Sequence, residues 1–295
     1  MAVSSRATGP TPSLENAYAT CKALAQGHYE NFSIASWLLP QDIRKYLYVI
    51  YAFCRHTDDL GDEAEGDRLA LLDAWEPELD HVYGGEPKHP IMVALQDVVR
   101  RFEIPEEPFR NLIRANRMDQ GRVRFATYDD LLHYCAHSAM PVGQMVLYLL
   151  RDRSPESRAL SDATCTALQL ANFWQDVARD CNKNRVYIPQ EDMTRFGVAE
   201  SELAHASANP AFKDLLRFEV GRAQALFEEG LPLVYRIKGP MKLDIALFSR
   251  GGLRVLEAIR ACDYDVLAER PTVPTLRKLW LALSTAARLA ILRRP

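Results

Sequence analysis

Three side chains constrain this chain more than any other feature. Asn172, Asp176 and Asp180 recur every four residues inside the largely apolar, uninterrupted stretch 168–180. On an α-helix that spacing stacks three oxygen-bearing groups along one face, with ~6 Å of axial rise between neighbours. Two carboxylates and an amide are costly to bury on such a face unless something binds them. Oxygen-only ligands suit a hard cation such as Mg²⁺, which shares its shell with waters and phosphate oxygens.

A second acidic group lies far upstream. Asp58 and Asp62 are again four apart and follow an apolar run that reaches Cys54. Either group alone also fits a solvated helix end. Together, each joined to an apolar helix, they predict two facing helices with metal between them, the usual construction of a bundle-core site.

The rest of the chain agrees with an all-helical protein. The predicted helices are one starting near Ser13, one ending at Pro40, and others at 41–54, 67–83, 90–103, 107–121, 128–150, 155–181, 199–204, 209–237 and 240–262, with 182–198 an irregular connection. No alternating pattern sustained over four to eight residues suggests a strand, and no glycine-rich linker divides the chain. One helical domain over 13–295 is the economical reading, after a Ser-, Thr-, Pro- and Gly-rich stretch at 1–12 expected to be disordered.

Charge and cysteine usage narrow the partners. A net charge of −3 gives no reason to expect nucleic acid. The six cysteines are scattered without a CxxC pair, as in reduced core thiols of a cytoplasmic protein. No stretch is apolar enough to span a bilayer. Residues 275–294, however, combine Leu276, Leu279, Trp280, Leu283 and Ile291 with Arg277, Lys278, Arg288, Arg293 and Arg294. That pattern fits peripheral contact with the inner face of an anionic membrane. It equally fits a terminal helix packed on the core with its basic side in water, and the two can coexist.

The two acidic motifs and Asn184-Arg185-Val186-Tyr187-Ile188-Pro189 resemble those of the squalene/phytoene synthase family, the head-to-head trans-isoprenyl diphosphate synthases. The resemblance covers nearly the whole chain. It implies an isoprenoid-synthase-type helical bundle whose central cavity holds a prenyl diphosphate and two or three Mg²⁺ ions. Asp58, Asp62, Asn172, Asp176 and Asp180 would be the metal ligands. Arg55, Arg185 and Arg270 are the candidates for the departing diphosphate, with Gln169 and Asn172 beside it. Tyr51 and Tyr134 are placed to steady a carbocation by their ring faces. His133 and His137 stand at metal-ligand spacing but lack a third ligand and the His-Glu-x-x-His pattern; His137 is expected to line the cavity instead, with His133 nearer its edge.

Two positions depart from the pattern of members that join two diphosphates. Gln175 stands where those commonly carry arginine, and Glu30-Asn31-Phe32-Ser33 replaces a Ser-Arg-Ser-Phe-like segment. Along with 169–176 and 138–143, these look most like the hydroxysqualene synthase branch of hopanoid pathways. The resemblance implies a carbon–oxygen lyase that receives presqualene diphosphate from its synthase, releases diphosphate and lets water capture the cation, with no nicotinamide. Gln175, Gln144 and His137 are the groups expected to hold that water. Condensation of two prenyl diphosphates by a transferase is the alternative within the family. A non-catalytic assembly factor is the alternative outside it, and the five retained acidic-motif ligands speak against it.

Overall fold

A computed structural model describes residues 12–27, 41–273 and 285. The expectations for 1–11, for the helix ending at Pro40 with the 30–33 segment, and for 275–294 apart from Thr285 lie outside the described residues. The described chain is all-α. Its helices are α1 (Leu14–Gly27), α2 (Gln41–Asp58), α3 (Arg68–Gly84), α4 (Pro90–Phe102), α5 (Glu107–Met118), α6 (Tyr128–Ser138), α7 (Met140–Leu149), α8 (Pro155–Asn182), α9 (Gln190–Phe196), α10 (Pro210–Gly230), α11 (Leu233–Arg236) and α12 (Met241–Ala261).

Local chemistry sets most of the boundaries. Prolines open α4, α5, α7, α8 and α10, where the missing N–H would have no intrahelical partner. Thr127 and Asp130 close a reciprocal capping box at the start of α6. The Ser154 hydroxyl accepts from Ser157 N at 3.2 Å and the Asn209 side chain from Phe212 N at 2.8 Å. Each such cap is worth ~1 kcal/mol.

Three sequence expectations need correction. The predicted helix 128–150 is two helices, broken at Ala139 because Pro141 cannot continue the hydrogen-bond ladder of α6. The predicted 209–237 helix ends at Gly230, and Pro232 starts the short α11. The 182–198 connection is ordered: Asn184 takes a left-handed turn (φ 60°), residues 185–186 pair as a strand, and α9 runs until Gly197 ends it at φ 70°. The strand pair is β1 (Val123–Arg124) with β2 (Arg185–Val186), parallel, Val123 opposite Arg185. Two residues are too few for any periodicity to reveal.

Packing leaves a hollow between two clusters of core. One surrounds α8 and includes Trp174, Phe212 and Phe227; the other surrounds α2 and includes Phe53, Phe109 and Leu95. Each of these fully buried rings or leucines contributes ~2–3 kcal/mol of apolar transfer. Helix α7 packs against both α2 and α8 and spaces them. Its contact with α8 requires Gly143, where a Cβ would strike the Ser161 hydroxyl and come within 2.6 Å of the Cys165 sulfur.

Candidate active site

Both α2 and α8 change character along their length, and in the same sense. Leu47, Ile50, Tyr51 and Cys54 of α2 face Ser161, Thr164, Cys165 and Leu168 of α8 around an apolar cavity of about 260 Å³, closed by Val142, Gly143, Val146 and the α12 residues Met241, Asp244, Ile245 and Phe248. Further along, Asp58 and Asp62 face Gln169, Asn172, Phe173 and Asp180 around a polar cavity of about 300 Å³. Its other walls are Asn116, Asp119, Tyr134, Ser138, Lys183, Arg185 and Tyr187. Asp58 and Asp62 therefore do meet Asn172 and Asp180 across one cavity, with a separate apolar cavity on the same two helices; Asp176 is not among the walls of the polar one.

The first motif sits at an irregularity. After Asp58 the helix widens into a π turn, Asp59–Glu63, closed by Ala64 N donating to Asp59 O at 2.8 Å. Such widened turns recur at functional sites because they redirect side chains. Gly61 within it lies so close to α5 that a Cβ would overlap the Asn116 carboxamide. Asn116 donates to Asp58 Oδ1 at 3.1 Å, and Gln120 donates to Gly61 O at 2.9 Å, so the end of α5 pins the turn.

Charge is distributed alike in the two motifs. Burial pushes Asp58 up to about 6, with the neighbouring Asp62 charge adding to it against the Asn116 hydrogen bond. Burial would also raise Asp62, but Arg185 outweighs it, with Nη2–Oδ1 at 2.6 Å and Nη1–Oδ2 at 3.3 Å, and holds that carboxyl below the usual range. Burial and the Asp176 charge push Asp180 up to about 7. Asp176 is gripped through both oxygens by Arg270, Nε–Oδ1 at 2.5 Å and Nη2–Oδ2 at 2.9 Å. Each motif thus holds one carboxylate paired with arginine and one near neutrality.

The aromatic wall was mostly missed from sequence. Phe173 and Tyr187 stack with centroids 3.7 Å apart and planes 6° from parallel, and Tyr134 lies 5.8 Å from Tyr187. Asp119 accepts from the hydroxyls of Tyr134 at 2.6 Å and Tyr187 at 3.2 Å. Burial first, then the adjacent Asp119 charge, raises Tyr134 well above its ordinary value, so the phenol stays protonated. Only Tyr134 had been singled out. The signal for the others was Asn116, Asp119 and Gln120 at i, i+3, i+4, a polar face on a helix end that the apolar pattern alone would bury.

Other candidates are placed elsewhere. Tyr51 lines the apolar cavity. Arg55 reaches forward past the end of its helix to Asp59 at 2.6 Å and Glu63 at 2.7 Å in the π turn, and is not among the walls of the polar cavity. His137 is outside both linings; its Nδ1 lies 2.8 Å from His133 O, and its ring packs on that of His133. Gln144 donates to Asp162 at 3.0 Å. Gln175 accepts from Arg270 Nη2 at 3.0 Å and donates to the Pro271 carbonyl. These last three were expected to hold a water together. None of the three lines the polar cavity, and each has a polar atom engaged with a different partner.

Mg²⁺ fits the donor set. Asp58, Asp62, Asn172 and Asp180 open on one cavity, and Asp58 and Asp180 are raised first by burial and then by a neighbouring carboxylate, a cost that a divalent cation would relieve. Among the described residues no three acidic, histidine or cysteine groups are already converged on one point. With Asp62 and Asp176 turned to arginines, the donors would have to reorient to share an ion.

The arrangement sets an acidic, arginine-bearing cavity beside an apolar one on the same pair of helices. The squalene/phytoene synthase family model matches residues 25–277, and the chain belongs to that family of head-to-head prenyl-condensing enzymes. Squalene synthase HpnC from Alicyclobacillus acidocaldarius is 42% identical, with a TM-score of 0.82 over 88% of this chain and 99% of that one. A dehydrosqualene synthase is 28% identical, with a TM-score of 0.86 over 94% and 98%. The 15-cis-phytoene synthase of Synechococcus elongatus is 32% identical over 285 residues, 90% of this chain and 91% of that protein. No helix among the described residues is long and apolar enough to cross a membrane.

Proposed function

We propose that this chain is a magnesium-dependent enzyme converting presqualene diphosphate and water to hydroxysqualene and inorganic diphosphate. The observation that carries the reading is Gln175. At that corner of the second motif an uncharged carboxamide holds a single guanidinium, Arg270, so the cationic equipment there matches one departing diphosphate.

Asp58, Asp62, Asn172 and Asp180, with Asp176, would hold the metal. Bound Mg²⁺ supplies Lewis-acid neutralisation of the leaving group. Arg185 and Lys183, on the cavity wall, add donors to diphosphate oxygens as charge develops there. The faces of Phe173, Tyr134 and Tyr187 offer π density to the cation. Asp119 accepts from both phenol hydroxyls, which fixes how the two rings are presented. The apolar cavity takes the hydrocarbon arms and excludes bulk water.

Incubation with presqualene diphosphate and Mg²⁺ in ¹⁸O-labelled water tests the reading. A labelled thirty-carbon alcohol is expected. A hydrocarbon formed only when a reduced nicotinamide is added overturns it. The likeness to phytoene synthases favours a second reading, condensation of two prenyl diphosphates. Farnesyl or geranylgeranyl diphosphate supplied alone would then give a hydrocarbon or presqualene diphosphate.

A further inference from the structure

Arg270 occupies both oxygens of Asp176 in a fork-on-fork pair. A hard cation binding Asp176 needs the same lone pairs, so arginine and metal compete for one carboxylate. Gln175 makes that competition specific. Its side chain is 7% exposed, and it spends its carbonyl on Arg270 and its amide on the next residue's backbone. One neutral side chain of α8 thus holds both the guanidinium and the chain that carries it. Arg179 is a poor substitute, reaching Asp176 Oδ1 only at 3.4 Å with 64% of its side chain exposed.

The first motif has a similar pair with different support. Arg185 lies within the β1–β2 ladder and also donates to Asp119 O at 3.3 Å, so it is fixed independently of Asp62. Arg270 comes from the segment beyond α12, and its side chain is 37% exposed. Of the two arginines it has more freedom to change partner.

We infer that Gln175 is a positioning residue that holds Arg270 on Asp176, so that metal entry and arginine release are one exchange. The freed guanidinium is then delivered to the diphosphate that arrives with the metal. This rests on the proposed magnesium–diphosphate chemistry and adds an order to it. Metal alone must evict Arg270 without compensation; metal with diphosphate gives Arg270 a new anion. The two ligands therefore bind with positive coupling, reciprocal by thermodynamic necessity.

Calorimetric titration of Mg²⁺, with Tb³⁺ as a tighter hard-cation probe, tests this without turnover. Inorganic diphosphate is then titrated into the metal-loaded protein. Arg270→Gln should bind metal alone about fivefold more tightly than wild type, equivalent to ~1 kcal/mol for a partly exposed pair, and lose most of the enhancement that diphosphate gives. Gln175→Ala, which keeps Arg270, should move both quantities the same way by less, and Arg270→Lys should lie between wild type and Arg270→Gln. A purely structural role would lower metal affinity, and circular dichroism confirms that each variant is folded. Equal metal affinity in wild type and Arg270→Gln, including no binding to either, overturns the exchange. If metal and diphosphate bind wild type together while Arg270→Gln is unchanged, the exchange fails and the proposed function stands.

Discussion

The two acidic motifs carry the same charges on unlike scaffolds. The first lies on a π turn pinned by α5, and its arginine partner is set by a strand pair and a backbone carbonyl. The second lies on regular α-helix, and its partner belongs to a segment beyond the last described helix. One motif is braced on all sides by folded elements; the other is completed by a single strap. The difference teaches that equal ligand chemistry need not mean equal rigidity, and that the motif open to adjustment is the second.

Alanine substitutions should expose this contrast most strongly. Asp62→Ala and Asp176→Ala should each reduce turnover about 10³-fold, as loss of a principal electrostatic group does. Their folding costs should diverge. Asp62→Ala takes the hydrogen-bonded carboxylate from Arg185, 10% exposed, and leaves it the Asp119 charge and a backbone carbonyl, at a cost of ~2 kcal/mol. Asp176→Ala frees a guanidinium that can turn to water, at ~1 kcal/mol or less. Urea unfolding without Mg²⁺ measures both; equal costs would break the contrast.

A smaller effect is expected at Gly61. Gly61→Ala drives a methyl into the Asn116 carboxamide that holds Asp58, at ~1–3 kcal/mol for overpacking. The second motif has no corresponding glycine, since 172–180 contains none. Raised metal demand at saturating substrate, together with the lost stability, would show that Asp58 needs its brace. Wild-type behaviour in both respects would show that the π turn can slide.

The mildest test is pH. Asp58 and Asp180 are raised in the folded protein, to about 6 and about 7, so their favourable contribution is fully present below pH ~4 and lost as pH rises through those values. Asp62 is held low and works in the opposite sense, losing its contribution only in strong acid. Thermal unfolding of metal-free protein should therefore show stability falling between pH ~4 and 7, with Asp58→Asn flattening the lower part of the slope and Asp180→Asn extending that effect to its upper end. A slope that neither variant changes would place the titrating groups elsewhere.

What the sequence made legible follows from period and spacing. The four-residue recurrence of Asp58/Asp62 and Asn172/Asp176/Asp180 is a property of one helix face, and four of those positions line one cavity while Asp176 is turned to Arg270. Long helices such as α8 declared themselves for the same reason. Side-chain allegiance was not legible. Nothing local to Gln175 says that its amide meets Pro271, 96 residues on, and no helical spacing says that Arg55 reaches forward to Glu63 across the π turn. Short elements fared similarly: α9 and the β1–β2 pair are below the length at which a period can be counted.

The parallel grading of α2 and α8, apolar at one end and acidic at the other, separates two tasks along one axis. On the proposed function, where ionisation happens and how much hydrocarbon fits are written on different turns of the same helices. A substitution at Val146 or Phe248 would then alter the ruler and leave the trigger alone.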